Sequence, residues 1–203
     1  MNSEVDRISC RERGYIEFWN RDPNLILHQT DDAVPHIDVY RFPPTAGSER
    51  DYYVYLSGGM SDAVQPLTET YDESFQRTEI SLFSQRPLMT DSGKTDFLGW
   101  ICGWLAHYPF EQKTYFAAGQ TFDWGSPLVE GSNMHGFYFA HLPWHDEAKL
   151  CALSGSARSI IHLIPLSKAE LDFAKAHGKE KLLTILERFG VTPLFDLERP
   201  SSL

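Results

Sequence analysis

The chain has 203 residues, 28 acidic against 18 basic, and a formal charge of −10 at pH 7 with histidine neutral. Its 42% hydrophobic and 23% charged content excludes a disordered or collagen-like polymer, and the length suffices for one sizeable core. The acidic balance opposes any affinity that rests on neutralising phosphates, so no nucleic-acid partner is expected, while a basic protein partner and plain solubility both stay open.

The N-terminus, MNSEVDRISCRERG, mixes both charge signs and lacks the apolar stretch of a secretory signal. Cys10, Cys102 and Cys151 are far apart with no C-x-x-C. That pattern predicts reduced, mostly buried thiols in a soluble, cytoplasmic protein without a disulfide framework or zinc knuckle. Ser3 with Asp6 resembles a capping box ahead of Val5, Ile8, Tyr15, Ile16 and Trp19, which predicts an opening helix that ends before Pro23.

Strands are then expected at 24–29, 36–42, 52–57 and 78–83, from β-forming residues bounded by Pro and Gly. A buried helix is expected over 96–107, ended by Pro109. Its apolar run FLGWICGWLA, ten residues long, is too short to cross a bilayer. Gly99 and Gly103 read as close helix packing. Further strands are expected at 115–118, 136–141 and 158–164, the last (RSIIHLI) apolar enough to lie centrally.

Ser167 and Glu170 form a capping box for a helix to His177, with Gly178 as a left-handed cap. A second helix over 179–189 is closed by Gly190. No linker, repeat or low-complexity tract divides the chain. The expectation is an α+β fold: residues 1–203 as a single domain, core about 20–190, with a mixed β-sheet flanked by helices.

No phosphate-binding loop, dinucleotide fingerprint, G-x-S-x-G elbow or H-E-x-x-H is present. His141 and His145 have i, i+4 spacing, but Pro143 between them breaks the helix a zinc pair needs, and His145, Asp146 and Glu147 read as a solvated loop. Cys102 with His107 reads as packing inside an apolar segment, and His162 as a satisfied core histidine. Arg77 and Glu79 read as a structural ion pair with neighbours, and Gly58, Gly59 and Met60 as a permissive strand end followed by a buried side chain. The only basic concentration, Arg11-Glu12-Arg13, is interrupted by glutamate.

His28, Asp31, Asp32, His36 and Asp38 form the densest polar cluster, and His36 and Asp38 share one strand face. This cluster supports either a solvated face or a metal half-site. Phe122, Asp123 and Trp124, like Leu142, Pro143, Trp144, His145 and Asp146, set large aromatics beside acids in loops, the residue types of protein–protein hot spots. The candidate binding residues are therefore Asp31, Asp32, His36, Asp38, Asp123, Trp124, Trp144, His145 and Asp146. No catalytic residue, metal ligand or cofactor is assigned. A metal-dependent hydrolase using His28, His36 and Asp38 is the rival reading, and a structural adaptor subunit the third.

The ordered blocks at 36–44 (HIDVYRFPP), 52–61 (YYVYLSGGMS), 77–82 (RTEISL), 104–109 (WLAHYP), 119–121 (GQT), 164–173 (IPLSKAELDF) and 178–183 (GKEKLL) together resemble the suppressor-of-fused domain family, in its single-domain bacterial form. The resemblance implies a non-enzymatic α/β sandwich of mixed sheet and helices. The animal family member binds and restrains a transcription factor through a site built from two domains, so its binding residues do not carry over to this chain. Bacterial relatives have been proposed as immunity proteins that neutralise toxins. A protein partner, among them a basic toxin domain, is thus what the resemblance implies here. An acidic inhibitor suits a basic toxin, because complementary potentials speed encounter.

Overall fold

Alternation along the strands decides the layers. The computed structural model describes residues 3–66, 73–90, 93 and 95–203, with side chains from residue 10 onward. The expected capping pair Ser3 and Asp6 lies outside the described side chains. Strands β1 (Leu25–Leu27), β2 (Asp38–Phe42), β3 (Tyr53–Gly58) and β4 (Thr78–Ser84) form an antiparallel meander. β5 (Thr121–Asp123) pairs with β6 (Met134–His141), and β6 with β7 (Ser159–Ser167), again antiparallel. β7 joins β4 in parallel, giving one seven-stranded mixed sheet of order β1-β2-β3-β4-β7-β6-β5. The nearly continuous apolar run of β7 fits this central place, which is covered on both sides.

Val39, Tyr55, Ile80, Leu82, Phe137, Phe139, Ile161 and Leu163 point to one face and form the larger core beneath α2 (Phe97–Glu111). Tyr40, Val54, Leu56, Phe83 and Ile160 point to the other, where Tyr15, Phe18 and Trp19 of α1 (Ser3–Trp19) and Leu150 and Cys151 of α3 (Glu147–Ser154) cover them. α4 (Lys168–His177) and α5 (Lys179–Arg188) extend the coverage at Tyr138 and Leu166. The fold is α+β, a mixed sheet flanked by helices, as expected. Among the described residues, no helix is long and apolar enough to cross a membrane.

Several local expectations are corrected. Pro109 lies inside α2, which runs on to Glu111. Proline removes its own donor, yet Gln112 N–H still reaches the Tyr108 carbonyl and Thr114 N–H the Pro109 carbonyl, both at 2.9 Å, so the final turn closes. Residues 115–118 are not a strand. Gln65, from far earlier in the chain, takes the Phe116 N–H on Oε1 (2.8 Å) and gives Nε2 to the Phe116 carbonyl (3.0 Å), so neither group is free for a ladder.

The 145–147 segment is not a loose polar loop. Asp146 Oδ1 caps α3 by accepting from Lys149 N–H, and Glu147 Oε1 accepts from Ile160 N–H on β7. Gly178 has positive φ (94°), but its ψ of 152° is extended rather than left-handed helical, so one residue ends α4 and starts α5. Cys10 is exposed, and Cys102 and Cys151 are buried; all three are free thiols. The capping box holds as expected, with Ser167 Oγ accepting from Glu170 N–H and Glu170 accepting from Ser167 N–H.

Candidate functional site

His28 and His36 both converge on Asp38, at 3.3 Å and 3.2 Å from the same oxygen, Oδ1. Asp38 is 1% exposed, and that oxygen also accepts from Gln29 N–H at 3.1 Å. The face is therefore not simply solvated: a buried carboxylate gathers the 28–36 loop onto β2. One N–H donor and two close imidazoles on a single buried oxygen anchor the loop. Among the described residues, no group of three His, Cys, Asp or Glu side chains is arranged to hold a metal ion. Asp31 accepts from Ala33 N–H and from Gln29 Nε2, and these bonds, the first foremost, lower its pKa. Asp31 and Asp32 are exposed.

Asp31 belongs to a larger neighbourhood that includes α2. Burial lowers the pKa of His107 on α2, while the nearby carboxylates of Glu111 and Asp31 oppose that effect. On α2, Phe97, Trp100, Trp104 and Tyr108 follow helical spacing, one turn apart. Trp100 stacks on Phe97 (5.9 Å between ring centroids), and Trp104 packs on Tyr108 (5.1 Å). Trp124, one of the predicted residues, stands against Trp104 at 4.6 Å and Trp100 at 6.1 Å, so it joins this strip from beyond β5. Trp100 is 43% exposed, although its helix carries no charged residue between 97 and 110. Asp123 flanks the strip but is already paired, with Lys175 Nζ at 2.6 Å.

This outer face of α2 was missed from the sequence. The signal was present: a helix apolar all round needs cover on both sides, and here the sheet covers one.

Trp144, His145 and Asp146 sit on the opposite side of the sheet, near α1. Trp144 is 59% exposed, stacked over Phe83 (6.3 Å, 21°) and beside Tyr52 (5.9 Å). His145 packs on Trp19 (4.8 Å), and its Nε2 hydrogen-bonds the Tyr52 hydroxyl at 2.6 Å. Asp146 is exposed and serves as the α3 cap. The predicted residues thus fall into two separate groups, one around Asp38 and α2, the other around Trp144.

A buried polar centre lies between these groups. Glu79, 0% exposed, accepts from Ser57 Oγ, Gly59 N–H, Ser61 N–H and Ser61 Oγ at 2.6–3.1 Å. Burial pushes its pKa up, with the Arg11 charge and these donors opposing. Arg77 makes no pair with it; Arg77 Nη1 donates to the carbonyls of Ser61 and Asp62. Gly59 has φ 120°, and a Cβ there would stand 2.0 Å from the His36 carbonyl oxygen, so this turn requires glycine. Met60 beside it is fully buried, as expected. Four hydrogen bonds and full burial make Glu79 an organiser of the turn, out of reach of a substrate.

The family model described as Suppressor of fused protein matches residues 33–200. Among solved structures, a suppressor of fused homolog from Neisseria gonorrhoeae aligns at 21% identity with a TM-score of 0.66, covering 98% of each chain. The Sufu–Fu complex aligns at 13% identity and TM-score 0.60, over 98% of this chain and 91% of the other. Drosophila Suppressor of Fused gives 13% identity and TM-score 0.61, over 96% of this chain and 51% of that one. No curated protein matches the sequence. At these identities the structural likeness shows the fold.

Proposed function

This chain belongs to the suppressor of fused family, and from that premise we propose that it is a non-catalytic protein-binding module acting in the cytoplasm. Its partner is a basic protein domain, in a toxin-neutralising or regulatory pairing, and residues 1–203 act as one domain without cofactor. The supporting observation is the aromatic strip Phe97, Trp100, Trp104, Tyr108 and Trp124, in which Trp100 is exposed and the other four rings are half-buried around it. Trp and Tyr concentrate at the centres of protein interfaces, where a polar rim shields them from water. Asp31, Asp32 and Glu111 are exposed acids of the kind such a rim uses. A complex of the same fold with a protein, Sufu with Fu, is known, and it lends support to a partner-binding reading of the fold.

The test pairs this chain with a small basic domain encoded beside its gene. Wild type is expected to bind it with an association rate that falls steeply as salt rises, because the encounter is steered by charge. Trp100→Ala is expected to weaken the complex by about 2 kcal/mol, the loss typical of a central aromatic anchor. Trp100→Ala with unchanged affinity, or an association rate indifferent to salt, would overturn this reading.

A further inference from the structure

Five arginines of this acidic chain stand beside a carboxylate, and two adjacent ones do not. Arg11, Arg41, Arg86, Arg158 and Arg199 each lie within 4.0 Å of a carboxylate. Arg21 and Arg50, which lie side by side, have no carboxylate partner among the described residues. Arg21 Nη1 donates to Thr45 Oγ1 and the Arg50 carbonyl, and Arg50 Nη1 to the Phe18 carbonyl. Both guanidiniums lie over aromatic rings, Arg21 at 5.9 Å from Trp19 and Arg50 at 5.6 Å from Trp19 and 5.8 Å from Phe18. Arg21 Nε and Nη2 are buried with no hydrogen-bond partner. Burial, and then the charge of Arg50, lowers the pKa of Arg21. Two adjacent cations left uncompensated in a molecule of charge −10 call for an anion from outside.

A cleft of about 390 Å³ opens beside them, lined by Glu49, Arg50, Tyr52, Trp144 and His145. This is within the size range of small-molecule sites. His145 does not compete as a cation: burial, Arg50 and Arg21 push its pKa down to about 4. Glu49 lines the cleft but makes no ion pair with Arg50. One wall is flat and apolar, the exposed indole of Trp144, held with φ at 61° in the left-handed region that tryptophan rarely adopts. A guanidinium and an indole lining one cleft recognise two features of one ligand.

We propose that this cleft binds a small anion carried on a flat aromatic ring, an aryl carboxylate or aryl phosphate. The anionic group sits at Arg50, and the ring lies against Trp144. A guanidinium favours planar or tetrahedral oxyanions through paired N–H donors. A long polyanion is disfavoured by the overall charge, whereas a singly or doubly charged small molecule meets little of that repulsion. This site lies across the sheet from the α2 strip and does not depend on the partner-binding reading.

The experiment titrates benzoate and phenyl phosphate separately into the full chain, followed by calorimetry and tryptophan emission, with acetate and inorganic phosphate as ringless controls. One of the two aryl anions is expected to bind, which tells carboxylate from phosphate, at least tenfold more tightly than its ringless counterpart. Arg50→Gln and Trp144→Asn are each expected to weaken it at least tenfold; asparagine tolerates the left-handed backbone, so the second variant keeps the loop. Binding of neither aryl anion at millimolar concentration overturns the proposal. So does equal binding of the ringless ions, or a Trp144→Asn chain that binds as wild type does.

Discussion

His162 sits in β7 with both ring nitrogens engaged: Nδ1 with Ser81 Oγ at 3.0 Å, and Nε2 with the Pro193 carbonyl at 2.7 Å. A carbonyl only accepts, so Nε2 carries the proton and Nδ1 takes the Ser81 hydroxyl hydrogen. The imidazole is satisfied as long as it is neutral, which is the reading its apolar flanks suggested. Full burial holds its pKa down at about 4, and the hydrogen bond to Pro193 opposes this only in part. The folded pKa thus lies below the unfolded value of 6.5. Stability is complete above pH 6.5 and is lost as pH falls through 4, by up to about 1.4 kcal/mol per pH unit for this one group. His145 shifts in the same direction, also to about 4. Urea unfolding of wild type between pH 7 and 4 is expected to show this slope. His162→Gln should be less stable at pH 7 and show a shallower slope, with the share of His145 remaining; an undiminished slope would remove His162 as its source.

At the scale of elements, α1 and α3 approach backbone to backbone. A Cβ on Gly14 would stand 2.0 Å from the Leu153 carbonyl oxygen, a backbone atom that cannot rotate aside. Helix propensity alone makes Gly14→Ala stabilising by about 1 kcal/mol, but overpacking of this kind costs about 1–3 kcal/mol or more. The second effect wins, so Gly14→Ala is expected to lower the melting temperature, and a rise would refute the contact. Neither Gly14 nor α3 was legible in the sequence. α3 spans eight residues, EAKLCALS, too short to show a periodic face, and its cap Asp146 stands in a string that reads as polar loop. The α4 capping box and the central β7 were legible because their signals are local: a serine and a glutamate three apart, and an unbroken apolar run. The missing strand at 115–118 was illegible for the opposite reason, since Gln65 lies about fifty residues away. The candidate residues divide in the same way. The Asp38 cluster is contiguous in sequence and was found, whereas Arg50 and Tyr52 meet Trp144 only through folding.

For the molecule as a whole, the parallel pairing of β4 with β7 runs from Thr78–Ser159 to Ser81–His162, and beyond it the strands are open to a wedge. The last residues of the chain fill that place. Leu194 bridges Phe83 in parallel, Phe195 N–H donates to the Phe83 carbonyl at 2.7 Å, and the Phe195 ring joins the larger core. Further on, Arg199 pairs with buried Glu170 at 2.7 Å and donates to the Pro165 carbonyl, while Ser202 N–H also reaches Glu170. Burial pushes Glu170 up, but Arg199 and the N–H donors of Ser167 and Ser202 outweigh it and hold its pKa at about 2. The helix cap of α4 and the chain terminus are therefore one structure. Phe195→Ala should cost about 3–5 kcal/mol as a cavity, and Arg199→Met about 3–5 kcal/mol by stranding a buried carboxylate. If the two sites were independent, the costs would add, and their sum would approach the whole stability of an ordinary domain, about 5–15 kcal/mol. A single docked segment behaves differently: once one substitution releases it, the second has less to remove. The double variant is thus expected to lose clearly less than the sum of the singles in denaturant unfolding. Additivity within about 0.5 kcal/mol would instead mean that core wedge and carboxylate clasp act as separate fixtures.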